Sequence, residues 1–398
     1  MAKHANRIVA VETRIIHEDR MQITLLTTKR ATLVLGLVGI ALSLTGCNTL
    51  AKKNDTGFVV ARLARIRSST AVVAANLVEV ARGDQVEILD TATVQDTGEK
   101  WLRVRARDEE STEGWIEARN IMPESVLENS RRLAEEDKEI PGQATGQLHA
   151  SSNLRLTPDR SSNDNIMMKL DSGSTFEIVG WMRVAKPKSS ETIESDIAPK
   201  PGSGQTSSPK GKMDIDAEKE PEEPNELWYK VRLAPSISPA PAGWIYGKQV
   251  ELTVPSDIIF YRSGREFVAW RRLDDEAADD NDAGNKGVQK ETKPGSWVIL
   301  EKSSSSQPHK LEEPDFDRIY VLGYDKQNQE HYTGYRSPDL KGYLPLRVEG
   351  KGLNKTFTVR VRDENEQLKD VQYTLYRDDR GVLRVASPGE IPKAKKRK

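Results

Sequence analysis

The chain has one cysteine in 398 residues. That scarcity excludes an intramolecular disulfide framework, a cysteine-built zinc site and an iron–sulfur cluster. Histidine is also sparse, five in all. Only His149, His309 and His331 follow the cysteine, with no H-x-H or H-E-x-x-H, so a histidine-built zinc centre with its three or so ligands is not expected. Surplus charge is missing: 60 Lys+Arg stand against 61 Asp+Glu, a formal net charge of −1, which argues against a nucleic-acid binder. No G-x-S-x-G, G-x-x-x-x-G-K-[ST] or G-x-G-x-x-G appears in place, so the familiar hydrolase, nucleotide and dinucleotide signatures are absent. The acidic run at Asp274, Asp275, Glu276, Asp279, Asp280 and Asp282 lacks the ligand spacing of a calcium loop and reads as solvated. These absences predict a chain that is not an enzyme and carries no cofactor or metal; a glycosidase using an unmarked carboxylate pair is the catalytic alternative. At 36% hydrophobic and 30% charged residues, the chain is too polar for one compact globule, so polar linkers or tails are expected.

The single cysteine sits in an informative place. Residues 31–46, ATLVLGLVGIALSLTG, carry no charge, follow Lys29-Arg30 and run directly into Cys47. A basic stretch followed by an apolar one is the order of a secretory signal. Sixteen apolar residues are short for a membrane span, which needs roughly 20. Leu44-Thr45-Gly46-Cys47 resembles the bacterial lipobox. That resemblance implies cleavage between Gly46 and Cys47 and attachment of diacylglyceryl and acyl chains, palmitate among them, at Cys47. The competing reading is an uncleaved anchor with an incidental cysteine. Residues 1–20 are long and acidic for a signal, with Glu12, Glu18 and Asp19, so the true start is expected at Met21. One buried acyl chain anchors marginally and two or more firmly. The residue after Cys47 is Asn48 rather than Asp. By the same resemblance this points, in a two-membrane envelope, to the outer membrane facing the periplasm.

An internal repeat follows. One copy runs ARIRSS (64–69), ARGDQVEIL (81–89), KWLRVRA (100–106) and EGWIEARNI (113–121). The second runs SNLRLTP (152–158), KLDSGSTFEIV (169–179), LWYKVRL (227–233) and AGWIYGKQV (242–250). Gly83 matches Gly173, Trp101 matches Trp228, and Gly114-Trp115 matches Gly243-Trp244. The tryptophan pairs lie 14 and 16 residues apart, whereas the glycine-to-tryptophan steps are 18 and 55, so the second copy carries an insertion of about 37 residues. Each block alternates apolar and polar over a few residues, the pattern of half-buried strands, and short turns separate them.

In this order the blocks resemble the bacterial SH3 domain family, over about 57–125 and 147–252. The first copy departs from the family at its opening, where Ala64-Arg65-Ile66-Arg67 replaces an Asn-Val/Leu-Arg. The predicted class is all-β: two small SH3-like barrels and a C-terminal antiparallel β domain, with disordered loops and an N-terminal signal segment. The predicted organisation is a signal peptide at 1–46, a lipidated tether at 47–56, barrels at 57–125 and 147–252, and a linker at 126–146. The insertion, placed at 185–226, is rich in Pro, Ser, Lys and Glu and is expected to be disordered. Glu124–Ile140 reads as a short helix stopped by Pro141-Gly142. Residues 254–390 hold further strands, the last three as a meander over 356–362, 370–377 and 382–386, and a basic tail fills 391–398.

The resemblance implies a non-catalytic, lipid-anchored cell-envelope protein that binds cell-wall peptide, glycan or a protein partner. The alternatives are a structural spacer without a small ligand and an unrecognised peptidoglycan-acting enzyme. Expected partners are the membrane, through the lipid, and peptidoglycan or envelope proteins, with no nucleic acid. Alternation in W-L-R-V-R puts Trp101 with Arg103 on one face and Leu102 with Val104 on the other; Trp228 and Lys230 pair likewise in the second copy. A tryptophan beside a basic residue is either ligand-facing or packed, and Trp101 and Trp228 are the leading ligand-binding candidates, followed by Trp181 and Tyr246.

Overall fold

The computed structural model describes residues 55–187, 223–262, 264–274, 293–304, 308–352 and 354–389. The signal segment with Gly46 and Cys47, most of the tether, the body of the insertion, most of the acidic run and the basic tail lie outside the described residues. What is described is all-β with one α-helix, and every strand pair is antiparallel.

The first repeat comprises β1 (Asp55–Val59), β2 (Leu63–Arg67), β3 (Asn76–Ala81), β4 (Gln85–Thr93), β5 (Lys100–Ala106), β6 (Glu113–Glu117) and β7 (Ile121–Pro123). The second comprises β8 (Ala144–Leu148), β9 (Ser152–Arg155), β10 (Ile166–Leu170), β11 (Thr175–Ala185), β12 (Asn225–Arg232), β13 (Ala242–Tyr246) and β14 (Val250–Leu252). Their sheet orders, β3-β2-β6-β5-β4-β1-β7 and β10-β9-β13-β12-β11-β8-β14, coincide strand for strand. The repeat holds to the residue. Arg67 faces Trp115 as Arg155 faces Trp244, and a bulge follows Ile88 in β4 as another follows Ile178 in β11. Gly83 and Gly173 both take positive φ, 92° and 82°, at the turn before the long strand, a conformation open to glycine at no steric cost.

Helix α1 (Glu124–Glu136) joins the repeats. It turns Leu127 and Ser130 inward, and Ser130 Oγ donates to Ala242 O and accepts from Ala242 N. The predicted linker at 126–146 therefore ends inside a strand, since β8 begins at Ala144.

The C-terminal region folds as two four-stranded sheets. One holds β15 (Arg265–Arg272), β16 (Trp297–Ser303), β17 (Arg318–Asp325) and β18 (Glu330–Arg336). The other holds β19 (Lys341–Glu349), β20 (Thr356–Arg362), β21 (Leu368–Arg377) and β22 (Leu383–Ala386), the last three as the expected meander. Val268, Val298, Leu300 and Val321 of the first sheet pack on Phe357, Val359, Tyr373 and Leu375 of the second. The opposite face of the first sheet, with Trp270, Trp297, Ile299 and Leu322, shares one core with Ile178, Tyr229 and Ile245 of the second repeat and Met122 of the first. Covered on both faces, β15 to β17 are apolar in near-continuous runs rather than in alternation. The first repeat also keeps a core of its own, with Val59, Ile66, Val86, Val104 and Ile116, and the described residues from Asp55 onward form one compact unit.

The insertion placed at 185–226 is too wide. Ala185 pairs with Asn225 in the β11–β12 ladder, and Glu226 is buried. The strands persist into this polar stretch because Glu226 is the counter-ion of Arg160.

Candidate functional site

Both repeats present the same face, built from the outer side of β5 or β12, the following strand β6 or β13, and the loop that leaves β2 or β9. The sequence alternation is correct here: Tyr229 and Val231 point into the shared core, whereas Trp228 belongs to a separate cluster with Trp244 and Tyr246. The two copies treat this face differently.

In the second repeat it is closed. The loop 156–165 folds over it and brings Arg160 onto Tyr246, with 4.7 Å from guanidinium carbon to ring centroid. Arg160 Nε donates to both oxygens of Glu226 at 3.0 Å, and both side chains of this ion pair are almost wholly buried. Beneath them Trp228 is 0% exposed, tilted against Tyr246 at 5.5 Å, and its indole N–H is buried without a partner. The loop is held down by Asn165, which accepts from Arg155 Nη1 at 2.6 Å and donates to Thr157 Oγ1 at 2.7 Å and Asp159 O at 2.8 Å. Trp228 and Tyr246, predicted to face a ligand, are therefore beneath a lid of their own chain. Alternation sets the side of the sheet, but it cannot say what lies on top.

In the first repeat the face is open. Where Trp228 pairs with Tyr246, Trp101 pairs with Glu117, and no arginine crosses it from the loop 68–75. A groove of about 620 Å³ remains, with Trp101 in its floor and Arg65, Arg67 and Asn76 along it. Arg67 sits 5.7 Å above the Trp101 ring and donates to Val72 O at 2.6 Å, which shapes the loop as Arg155 does in the other copy. Trp101 is 4% exposed, so it is a floor rather than a contact surface, and its indole N–H is also buried without a partner. The side chains that a ligand would meet are Val72 and Val73, 92% and 93% exposed at the loop tip, and Leu63 at 58%. Sequence reasoning passed over these three. The available signal was the apolar Ala-Val-Val-Ala run of 71–74 inside a loop.

Trp181, the remaining candidate, lies elsewhere. It is half-buried on β11, edge-on to Tyr229 at 6.1 Å, and donates its indole N–H to Asp315 Oδ1 at 2.6 Å. Burial pushes the Asp315 carboxyl above its ordinary range even though it also accepts from Leu344 N at 2.9 Å. The structure thus gathers Trp228 and Tyr246 into one closed cluster, leaves Trp101 in an open groove, and sets Trp181 against the C-terminal sheets. Among the described residues no cluster of three or more His, Cys, Asp or Glu is arranged to hold a metal ion.

No family model matches the chain, and no curated protein matches it. Among solved structures, NlpC1 from Trichomonas vaginalis aligns at 11% identity over 50% of this chain and 46% of that one, with a TM-score of 0.14. This chain thus spans less than half of that protein. An NlpC/P60 family protein from Bacillus cereus aligns at 7% identity over 79% and 93% of the two chains, TM-score 0.17. NlpC2 from Trichomonas vaginalis aligns at 8% over 85% and 95%, TM-score 0.15. Likenesses this slight assign neither a fold nor an activity to this chain.

Proposed function

We propose that this chain is a lipid-anchored envelope protein with SH3-like repeats, non-catalytic, whose first repeat binds cell-wall peptide or glycan in the Trp101 groove. The observation that carries the reading is the contrast between two equivalent faces. One is filled by the chain's own Arg160, and the other lies open beside three exposed apolar side chains. An aromatic floor with a few polar groups at its edge is the ordinary composition of a ligand groove. The lipobox-like Leu44-Thr45-Gly46-Cys47 supports the membrane anchor.

The test is sedimentation of the full chain with purified cell wall, using Val72→Asp and Val73→Asp. Both side chains are almost fully exposed, so both variants keep the fold. Binding lost in the variants and kept in wild type supports the groove. Binding equal in all three, or absent from wild type, overturns it and leaves the spacer reading. Cys47→Ser tests the anchor separately: the variant loses lipid labelling and leaves the membrane fraction.

A further inference from the structure

The lining of the Trp101 groove favours one ligand class over the other. Trp101 is the one aromatic residue in it, and its ring is covered: it is 4% exposed, with the Arg67 guanidinium 5.7 Å above it. A sugar ring, whose C–H edges are drawn to the electron-rich face of an aromatic ring, finds no open face here.

The charged side chains of the lining are engaged by the chain itself. Arg65 Nε donates to Glu79 at 3.0 Å and Arg67 Nη2 to Val72 O at 2.6 Å, while Glu117 accepts from Arg119 Nε at 2.6 Å. A charged ligand group entering the groove would lose water without gaining a free counter-ion. What the lining leaves over is uncharged. Asn76 is exposed, and its side-chain amide makes no hydrogen bond among the described residues. The Asn120 amide reaches Glu117 only at 3.5 Å. A primary amide offers a donor and an acceptor together, the complement of a peptide group. Beside these amides stand the aliphatic side chains of Leu63, Val72 and Val73.

The second repeat shows what such a face accepts, since its own loop 156–165 lies on it. Arg160 stands fifth after Arg155 in that loop, and the fifth residue after Arg67 is Val72. Glu226, the counter-ion of Arg160, stands two residues before Trp228; its counterpart Glu99, two before Trp101, does not line the groove. Polypeptide carries over from the closed copy to the open one, and the charged pair does not.

We infer that the ligand of the first repeat is an uncharged peptide segment with small aliphatic side chains, and not a glycan. Its peptide groups bond the amides of Asn76 and Asn120, and its side chains lie against Leu63, Val72 and Val73. This rests on the Trp101 groove being the binding face.

The probe is N-acetyl-trialanine amide, titrated into the full chain while the indole N–H resonance of Trp101, identified by its loss in Trp101→Phe, is followed. A saturable shift is expected, about fivefold weaker in Asn76→Ala, as loss of a neutral hydrogen bond implies. Asn76 is exposed and its side chain bonds nothing, so this variant keeps the fold. The same peptide with glutamate or lysine at its centre binds more weakly, and the neutral trisaccharide of N-acetylglucosamine does not saturate the resonance. The inference is overturned if the trisaccharide or either charged peptide matches trialanine, if Asn76→Ala binds unchanged, or if trialanine gives no saturable shift. Failure of the groove itself looks different: cell-wall sedimentation is then unchanged by Val72→Asp and Val73→Asp. Wall binding that both variants abolish, with the trisaccharide and not trialanine saturating the resonance, removes the ligand class and keeps the groove.

Discussion

Arg160 and Glu226 are each less than one-tenth exposed, a costly arrangement held together by bidentate bonding and by the Tyr246 ring. Removing one member of such a pair strands the other charge, at roughly 3–5 kcal/mol. Arg160→Ala is therefore expected to lose about that much stability in urea titration, and to red-shift tryptophan emission as Trp228 meets water. An Arg160→Ala/Glu226→Gln double variant recovers part of the loss; strict additivity of the two single changes would refute the coupling. Two carboxylates titrate in opposite directions. Burial pushes Glu313 up, but Lys302 and His309 outweigh it and bring the carboxyl down to about 2 from an ordinary 4.5. Its folded value is below its unfolded one, so its contribution is present above pH 4.5 and is lost as pH falls toward 2. Glu313→Gln should flatten the acid limb of the stability curve in that window. Glu301 is the reverse case: it is 1% exposed, with both oxygens unpartnered, and burial raises its carboxyl. Its charged form costs the fold, so Glu301→Gln should gain stability relative to wild type at pH 7. That gain should shrink as pH falls through the raised value; a gain independent of pH would refute the assignment.

At the scale of elements, the repeated Gly-Trp pair has a steric reason. A Cβ on Gly114 would stand 2.5 Å from the backbone oxygen of Arg67 and 2.6 Å from Ile66, because β6 passes close over β2. On Gly243 it would meet Met167 and Leu154 side chains at 2.5 and 2.7 Å, which can partly yield. Both Gly→Ala changes overpack, at about 1–3 kcal/mol, and Gly114→Ala should be the costlier because a backbone atom cannot rotate away. Equal costs, measured by thermal or urea unfolding, would contradict the explanation. The glycines were legible in the sequence as members of a motif. Their reason was not, since it depends on two strands 47 residues apart.

Across the whole molecule, one core joins the second repeat to the first C-terminal sheet and takes in Val60 and Met122 of the first repeat, which keeps a further core of its own. Calorimetry of the full chain should accordingly show the second repeat and the first C-terminal sheet unfolding in one transition, and Trp270→Ala in β15 should lower the stability of the second repeat with it. Separate transitions would mean that the modules unfold independently. Deleting residues 188–222 between the closing pairs of β11 and β12 should shift the midpoint by only a few degrees, since loop-closure entropy changes slowly with length. A deletion extended to Glu226 should be far more damaging, because it removes the partner of Arg160. By itself the sequence determined the all-β class, the duplication, the final meander and the face on which Trp101 and Trp228 lie. These follow from alternation, from turn glycines and from order along the chain, all of which are local. Only the tertiary structure decided which of the two matching faces is open and where the insertion ends, and that the modules share a core. Each of these rests on side chains far apart in sequence, Arg160 with Glu226 and Ile178 with Trp270, and no local pattern encodes what comes to lie on top of a strand.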